Sequence, residues 1–144
     1  MTREYDGLRT FLGKCEEFGE IRTISGADWE LEIGALTEST SELIPEPPAL
    51  MFDEVKGYPK GFRVLSLPVA SRVRTASALG LPTDLKPMEL VREASRRVKN
   101  AERVPPKEVE TGPVMQNVMR DNEVDLLKFP AIRAHKGDGG RYIG

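Results

Sequence analysis

The sequence predicts an α+β domain in which helices cover a small mixed sheet, and three features carry that expectation. Apolar residues recur at helical spacing in several separate windows. Between those windows lie short apolar or alternating runs of strand length. Prolines and glycines fall at the boundaries and leave the periodic stretches uninterrupted. At 144 residues, with 39 % apolar and 31 % charged residues, the chain has an ordinary globular composition and enough length to bury a core.

The first window covers residues 5 to 18, where Tyr5, Leu8, Phe11, Leu12, Cys15 and Phe18 share one face. Gly19 follows as a C-terminal stop. Cys15 lies within that apolar stripe, so packing as a small hydrophobe accounts for it. Glu20 to Ile24 alternates polar and apolar residues, as a short strand does. Asp28 has the chemistry of an N-cap, and Leu31, Ala35, Leu36 and Leu43 predict a second helix reaching residue 43. Trp29, the single tryptophan, falls in its first turn and is expected to pack. Asp28, Glu30, Glu32 and Glu38 are expected to cap or face solvent, as are Glu16, Glu17 and Glu20. Pro45, Pro47 and Pro48 end the helix, because proline lacks the backbone donor and does not fit a helix interior.

Ala49 to Phe52 and Phe62 to Leu67 read as two strands, joined through the turn-rich stretch Lys56 to Gly61. Val69, Val73, Ala76 and Leu79 predict a third helix ending at Gly80. Pro87 suits the first turn of a fourth helix, with Leu90, Val91, Ala94 and Val98 as its inner face. Arg96, Arg97 and Lys99 crowd its last turns, where positive charge offsets the helix dipole. Beyond Val104 the pattern changes. Pro113 to Arg120 reads as a strand and Val124 to Leu127 as one helical turn, and the glycine-rich tail ends on Arg141-Tyr142-Ile143-Gly144, the start of a strand with no partner. The apolar residues of that tail, Phe129, Ile132, Tyr142 and Ile143, call for a covering surface.

Charge and cysteine content narrow the function classes. Lys+Arg at 21 against Asp+Glu at 23 gives a net charge of −2, which argues against nucleic acid as a partner. A lone cysteine forms no internal disulfide, and with no signal peptide or spanning segment apparent the expected location is cytoplasmic, without a membrane partner.

Five segments, in order, resemble the UbiD family. They are Leu8-Arg9-Thr10-Phe11-Leu12 leading into Phe18-Gly19-Glu20-Ile21; Pro48-Ala49-Leu50-Met51-Phe52-Asp53-Glu54-Val55-Lys56-Gly57-Tyr58; Ser71-Arg72 with Ala78-Leu79-Gly80-Leu81-Pro82; Thr111-Gly112-Pro113-Val114 through Asp125-Leu126-Leu127-Lys128-Phe129-Pro130; and His135-Lys136-Gly137-Asp138-Gly139-Gly140-Arg141-Tyr142-Ile143-Gly144. The second of these matches the family's pattern almost term by term.

The resemblance implies an enzyme that reversibly decarboxylates aromatic, heteroaromatic or α,β-unsaturated carboxylic acids with prenylated FMN, Mn2+ and K+. It also implies an oligomer when complete. Under it, residues 1–108 form the N-terminal α+β domain. Residues 109–144 begin a split β-barrel flavin-binding domain that is incomplete here. The family's proton-transfer and metal-binding residues fall beyond the last matching segment, so the resemblance assigns no catalytic residue and no metal ligand to this chain. The chain is then expected to be inactive alone and to need the remainder of the enzyme or a partner chain. The alternative is a non-catalytic subunit that packs against a separate decarboxylase chain.

Gly140, Tyr142 and Gly144 are the cofactor-binding candidates, being nearest in sequence to the implied flavin pocket. His135 and Asp138 are too few for a metal, since catalytic zinc takes three protein ligands. Gly137 to Arg141 could form an anion-binding nest, but it lacks the phosphate-loop spacing, and glycines serving a tight turn explain it better.

Overall fold

The structure is a computed structural model and describes residues 7–143. Tyr5, assigned above to the first helix, and Gly144, a cofactor candidate, lie outside the described residues.

Helix α1 spans Leu8–Glu17 and buries Phe11 and Cys15. Gly19 ends it at a φ of 68°, a left-handed value that suits glycine. Strand β1 (Ile21–Ser25) follows, then α2 (Glu32–Leu43), then β2 (Ala49–Asp53). β1 and β2 run parallel, with Ile21 opposite Ala49 and Ser25 opposite Asp53. The α2 crossover is what permits this parallel pairing. β3 (Val64–Ser66) joins β2 on its other side, antiparallel, giving a mixed sheet in the order β1-β2-β3.

The central strand explains its own composition: Ala49, Leu50, Met51 and Phe52 are all buried, as a strand covered on both faces requires. Leu50 and Phe52 join Ala27, Ile33 and Val55 in the main core, which Ile24, Leu36, Val64 and Leu67 extend. A smaller cluster of Ala76, Leu81 and Leu90 holds α3 (Arg72–Ala78) against α4 (Pro87–Lys99).

Several expectations need correction. α2 begins at Glu32, and Asp28 does not cap it; its carboxylate accepts from the Glu30 N–H at 2.9 Å in a local turn. The helix therefore presents Ile33 and Gly34 to the core, while Ala35 and Leu43 face solvent. Trp29 sits in the loop before α2. Val69 precedes α3 and is exposed, with Ser71 as the N-cap accepting from the Arg74 N–H. In α4, Leu90 and Ala94 face inward but Val91 and Val98 are exposed. Glu20 is not a free surface carboxylate, because it pairs with the fully buried Arg74 at 2.5 Å.

After residue 100 the chain carries three short 3-10 turns, Pro113–Met115, Asp121–Glu123 and Leu126–Lys128. The strand expected over 113–120 is absent because Pro113 starts one of those turns. No barrel strands form among the described residues. The tail does find partners, contrary to expectation. Ile132 bridges antiparallel to Tyr142, and Arg133 bridges parallel to Glu30. Ala131 is buried and Ile132 packs on the main core, whereas Phe129, Tyr142 and Ile143 stay exposed.

Candidate functional site

The strongest constellation of side chains lies at the carboxyl ends of the parallel strands β1 and β2. In open sheets with parallel strands this is where ligands usually bind. The loop after β1 carries Asp28, Trp29 and Glu30, and the loop after β2 carries Lys56 and Tyr58. Lys56 Nζ donates to Asp28 at 2.8 Å, which ties the two loops together. That hydrogen bond holds the Asp28 carboxyl below the usual carboxylate range and holds the Lys56 ammonium above its ordinary value.

Across these loops runs a strap, residues 130–143. The Leu31 N–H donates to the Arg133 carbonyl at 2.8 Å, and the Arg133 N–H donates to the Trp29 carbonyl at 3.1 Å. Arg133 also pairs with Glu30 at 3.0 Å. Gly34 of α2 is where the strap comes closest, since a Cβ there would lie 2.4 Å from the Ala134 carbonyl oxygen. The strap then turns back, and the Tyr142 N–H donates to the Ile132 carbonyl at 2.9 Å. This return places the Arg141 guanidinium 3.9 Å from the centroid of the Trp29 ring and 5.7 Å from that of Tyr58. Its Nε donates to the Ala131 carbonyl at 2.8 Å, and its terminal nitrogen donates to the Tyr58 hydroxyl.

Of the expected site residues, Gly140, Tyr142, His135 and Asp138 are described. Gly140 is half-buried and Tyr142 exposed at the far end of the strap, with the Tyr142 hydroxyl 3.5 Å from where a Gly139 Cβ would be. His135 is exposed, 3.3 Å from Glu38, and its backbone N–H donates to Asp138 at 2.8 Å. Among the described residues no group of three His, Cys, Asp or Glu side chains could hold a metal. The Gly137 to Arg141 stretch is no anion cradle with a spare arginine, because Arg141 is turned inward onto Trp29 and Tyr58. An open groove between α1 and β3 is lined by Arg9, Leu12, Met51, Arg63 and Leu65, with no acid and no histidine among the described residues of its lining. Sequence reasoning missed the Trp29–Tyr58–Arg141 cluster, whose three members lie on separate loops with no motif linking them. The one available signal was a lone tryptophan in a polar loop.

Comparison with known proteins extends these observations. A family model described as the 3-octaprenyl-4-hydroxybenzoate carboxy-lyase N-terminal domain matches residues 12–98. A second, described as the Rift-related domain of the same carboxy-lyase, matches residues 107–144. A pyrrole-2-carboxylic acid decarboxylase of Pseudomonas aeruginosa is 35 % identical over all of this chain and 30 % of its own length. A phenolic acid decarboxylase of Streptomyces is 35 % identical over 96 % of this chain and 29 % of its own. The vanillic acid decarboxylase of Sedimentibacter hydroxybenzoicus in closed form superimposes with a TM-score of 0.81 at 30 % identity, covering 96 % of this chain and 29 % of that one. In open form its TM-score is 0.78. The chain thus spans about 30 % of the length of the curated relatives it matches. With one family model covering more than half of its residues, and a decarboxylase 35 % identical over its whole length, the chain belongs to the UbiD family.

Proposed function

We propose that this chain supplies the N-terminal framework of a UbiD-type carboxy-lyase, one that reversibly decarboxylates an aromatic, heteroaromatic or α,β-unsaturated carboxylic acid. The observation that carries the proposal is the end-to-end match, at 35 % identity, to 30 % of a pyrrole-2-carboxylic acid decarboxylase, together with the match of residues 12–98 to the carboxy-lyase N-terminal domain. Enzymes of this family generally work with prenylated FMN, whose ring takes up the electrons released when CO2 leaves. The described residues do not fit a metal-bridged flavin phosphate. The described side chains offer no three-ligand set for Mn2+, and the arginine nearest the glycine turn is engaged with Trp29. No chemical step is therefore assigned to residues of this chain.

Its contribution is architectural. Residues 1–108 form the covering domain, and residues 109–144 lead into the split-barrel flavin domain, with Gly140 and Tyr142 as the segment closest to the pocket. The whole protein acts in the cytoplasm as a homo-oligomer. Among the described residues, no helix is long and apolar enough to cross a membrane.

A second reading, a non-catalytic subunit packed on a separate decarboxylase chain, draws on the exposed apolar residues of the segment before the strap. Val104 is 89 % exposed, Val114 85 % and Leu126 64 %. Co-expression separates the two readings. The chain is paired either with the Pseudomonas relative lacking its matching N-terminal portion, or with that relative intact. Assembly and CO2 release with the shortened partner alone support the framework role. Assembly with the intact partner alone transfers the case to the subunit reading.

A further inference from the structure

We infer that Trp29 and Tyr58 form an aromatic box specific for a guanidinium group, and that Arg141 is its built-in occupant, latching the strap onto the N-terminal domain. The latch is a property of this chain whatever acid the whole protein decarboxylates. Its position is informative, because both aromatic residues stand just past the carboxyl ends of parallel β1 and β2, where an external ligand would ordinarily sit. Here a side chain of the same molecule fills that place.

The chemistry selects a guanidinium over other cations. The planar group lies over the Trp29 face at 3.9 Å while its edge donates to the Tyr58 hydroxyl and, through Nε, to the Ala131 carbonyl at 2.8 Å. A lysine ammonium can approach a ring, but it has no flat face and no fork of fixed donors. Among the described residues no carboxylate pairs with Arg141, so its charge is met by ring faces and neutral oxygens. Such a contact is strengthened when water is excluded, and both aromatic side chains already pack against the main core. The bond to Ala131 closes the strap on itself, since Ala131 and Arg141 then bracket the turn at 135–140. Seating Arg141 thereby fixes the direction in which the chain leaves at Tyr142 and Ile143.

The 144-residue chain contains its own reporter, because Trp29 is the single tryptophan. In Arg141→Ala, Trp29 emission shifts, and the amides of Leu31, Arg133 and Tyr142, which fasten the strap, exchange with solvent about tenfold faster. Added ethylguanidinium restores both readouts, and ethylammonium at equal concentration restores neither. Arg141→Lys, which keeps the charge, gives an intermediate exchange rate and covers the case in which the alanine variant loses its helical circular dichroism. Exchange within about twofold of the parent in Arg141→Lys and, where it folds, Arg141→Ala overturns the latch. Equal rescue by the two cations overturns its specificity for guanidinium, and no rescue by either overturns the box.

Discussion

Arg74 has no exposed surface, and its guanidinium ties three separate stretches of chain to α3. It donates to the carbonyls of Pro68, Glu20, Pro47 and Leu67 and to the Glu20 carboxylate. Ser71 donates to the same carboxylate at 2.6 Å. Replacing Arg74 with Met strands those carbonyls and leaves Glu20 without its cation. Urea unfolding should show a loss of about 3–5 kcal/mol. The sequence does not single out Arg74, since nothing local reveals that the carbonyls of Glu20, Pro47, Leu67 and Pro68 converge on it. Gly34 was equally silent. Its need for hydrogen at Cα comes from the Ala134 backbone of the strap, a contact no local pattern encodes. Gly34→Ala should cost about 1–3 kcal/mol and loosen the strap, read by thermal melting together with amide exchange at Arg133. The Asp28–Lys56 pair gives a pH signature. Asp28 is held low in the folded state, so its share of stability is present above about pH 3.9 and disappears as pH falls through its lower folded value. Lys56 is held high, so its share is present below about pH 10.4 and fades as pH rises through its folded value. The melting temperatures of the parent and Lys56→Met should therefore differ at neutral pH and converge at both extremes.

At the scale of elements, most helices and strands were legible because each has its own punctuation. Gly19 and Gly80 stop helices at positive φ, and Pro87 opens α4 with Glu89 accepting from the Lys86 N–H at 2.9 Å. What failed was phase. Val91 and Val98 look as apolar as Leu90, yet Leu81 and Ala76 meet only the face carrying Leu90 and Ala94, while Arg97 on that side reaches the Leu79 carbonyl at 2.6 Å. Choosing between two faces three or four residues apart needs the neighbouring helix, which a one-dimensional pattern does not contain. The consequence is measurable by chemical denaturation. Leu90→Ala should lose about 2–4 kcal/mol, whereas Val91→Ser should change stability by no more than about 0.5 kcal/mol. The second helix slipped for a related reason. Asp28 has a capping side chain, but Lys56 and the Glu30 N–H claim it, and the helix starts four residues later.

For the whole molecule, burial of apolar side chains falls after α4 and recovers at the strap. The sheet and its helices bury a main core and a smaller α3–α4 cluster, the stretch from Val104 to Phe129 exposes most of its apolar side chains, and the strap then returns to the main core through Ala131 and Ile132. The family was legible in the sequence because its segments keep their order over nearly the full length. The site was less so, because the glycine stretch before Arg141 read as a tight turn and nothing in it announced the aromatic partners of that arginine. The central claim, that these residues frame a carboxy-lyase and do not perform its chemistry, is open to one direct measurement. The purified 144-residue chain is incubated with prenylated FMN, Mn2+, K+ and pyrrole-2-carboxylate or a set of phenolic acids, and retained flavin absorbance and CO2 release are followed together. No flavin should be retained after gel filtration, and no CO2 should appear above the protein-free control. Stoichiometric flavin accompanied by turnover would contradict the claim.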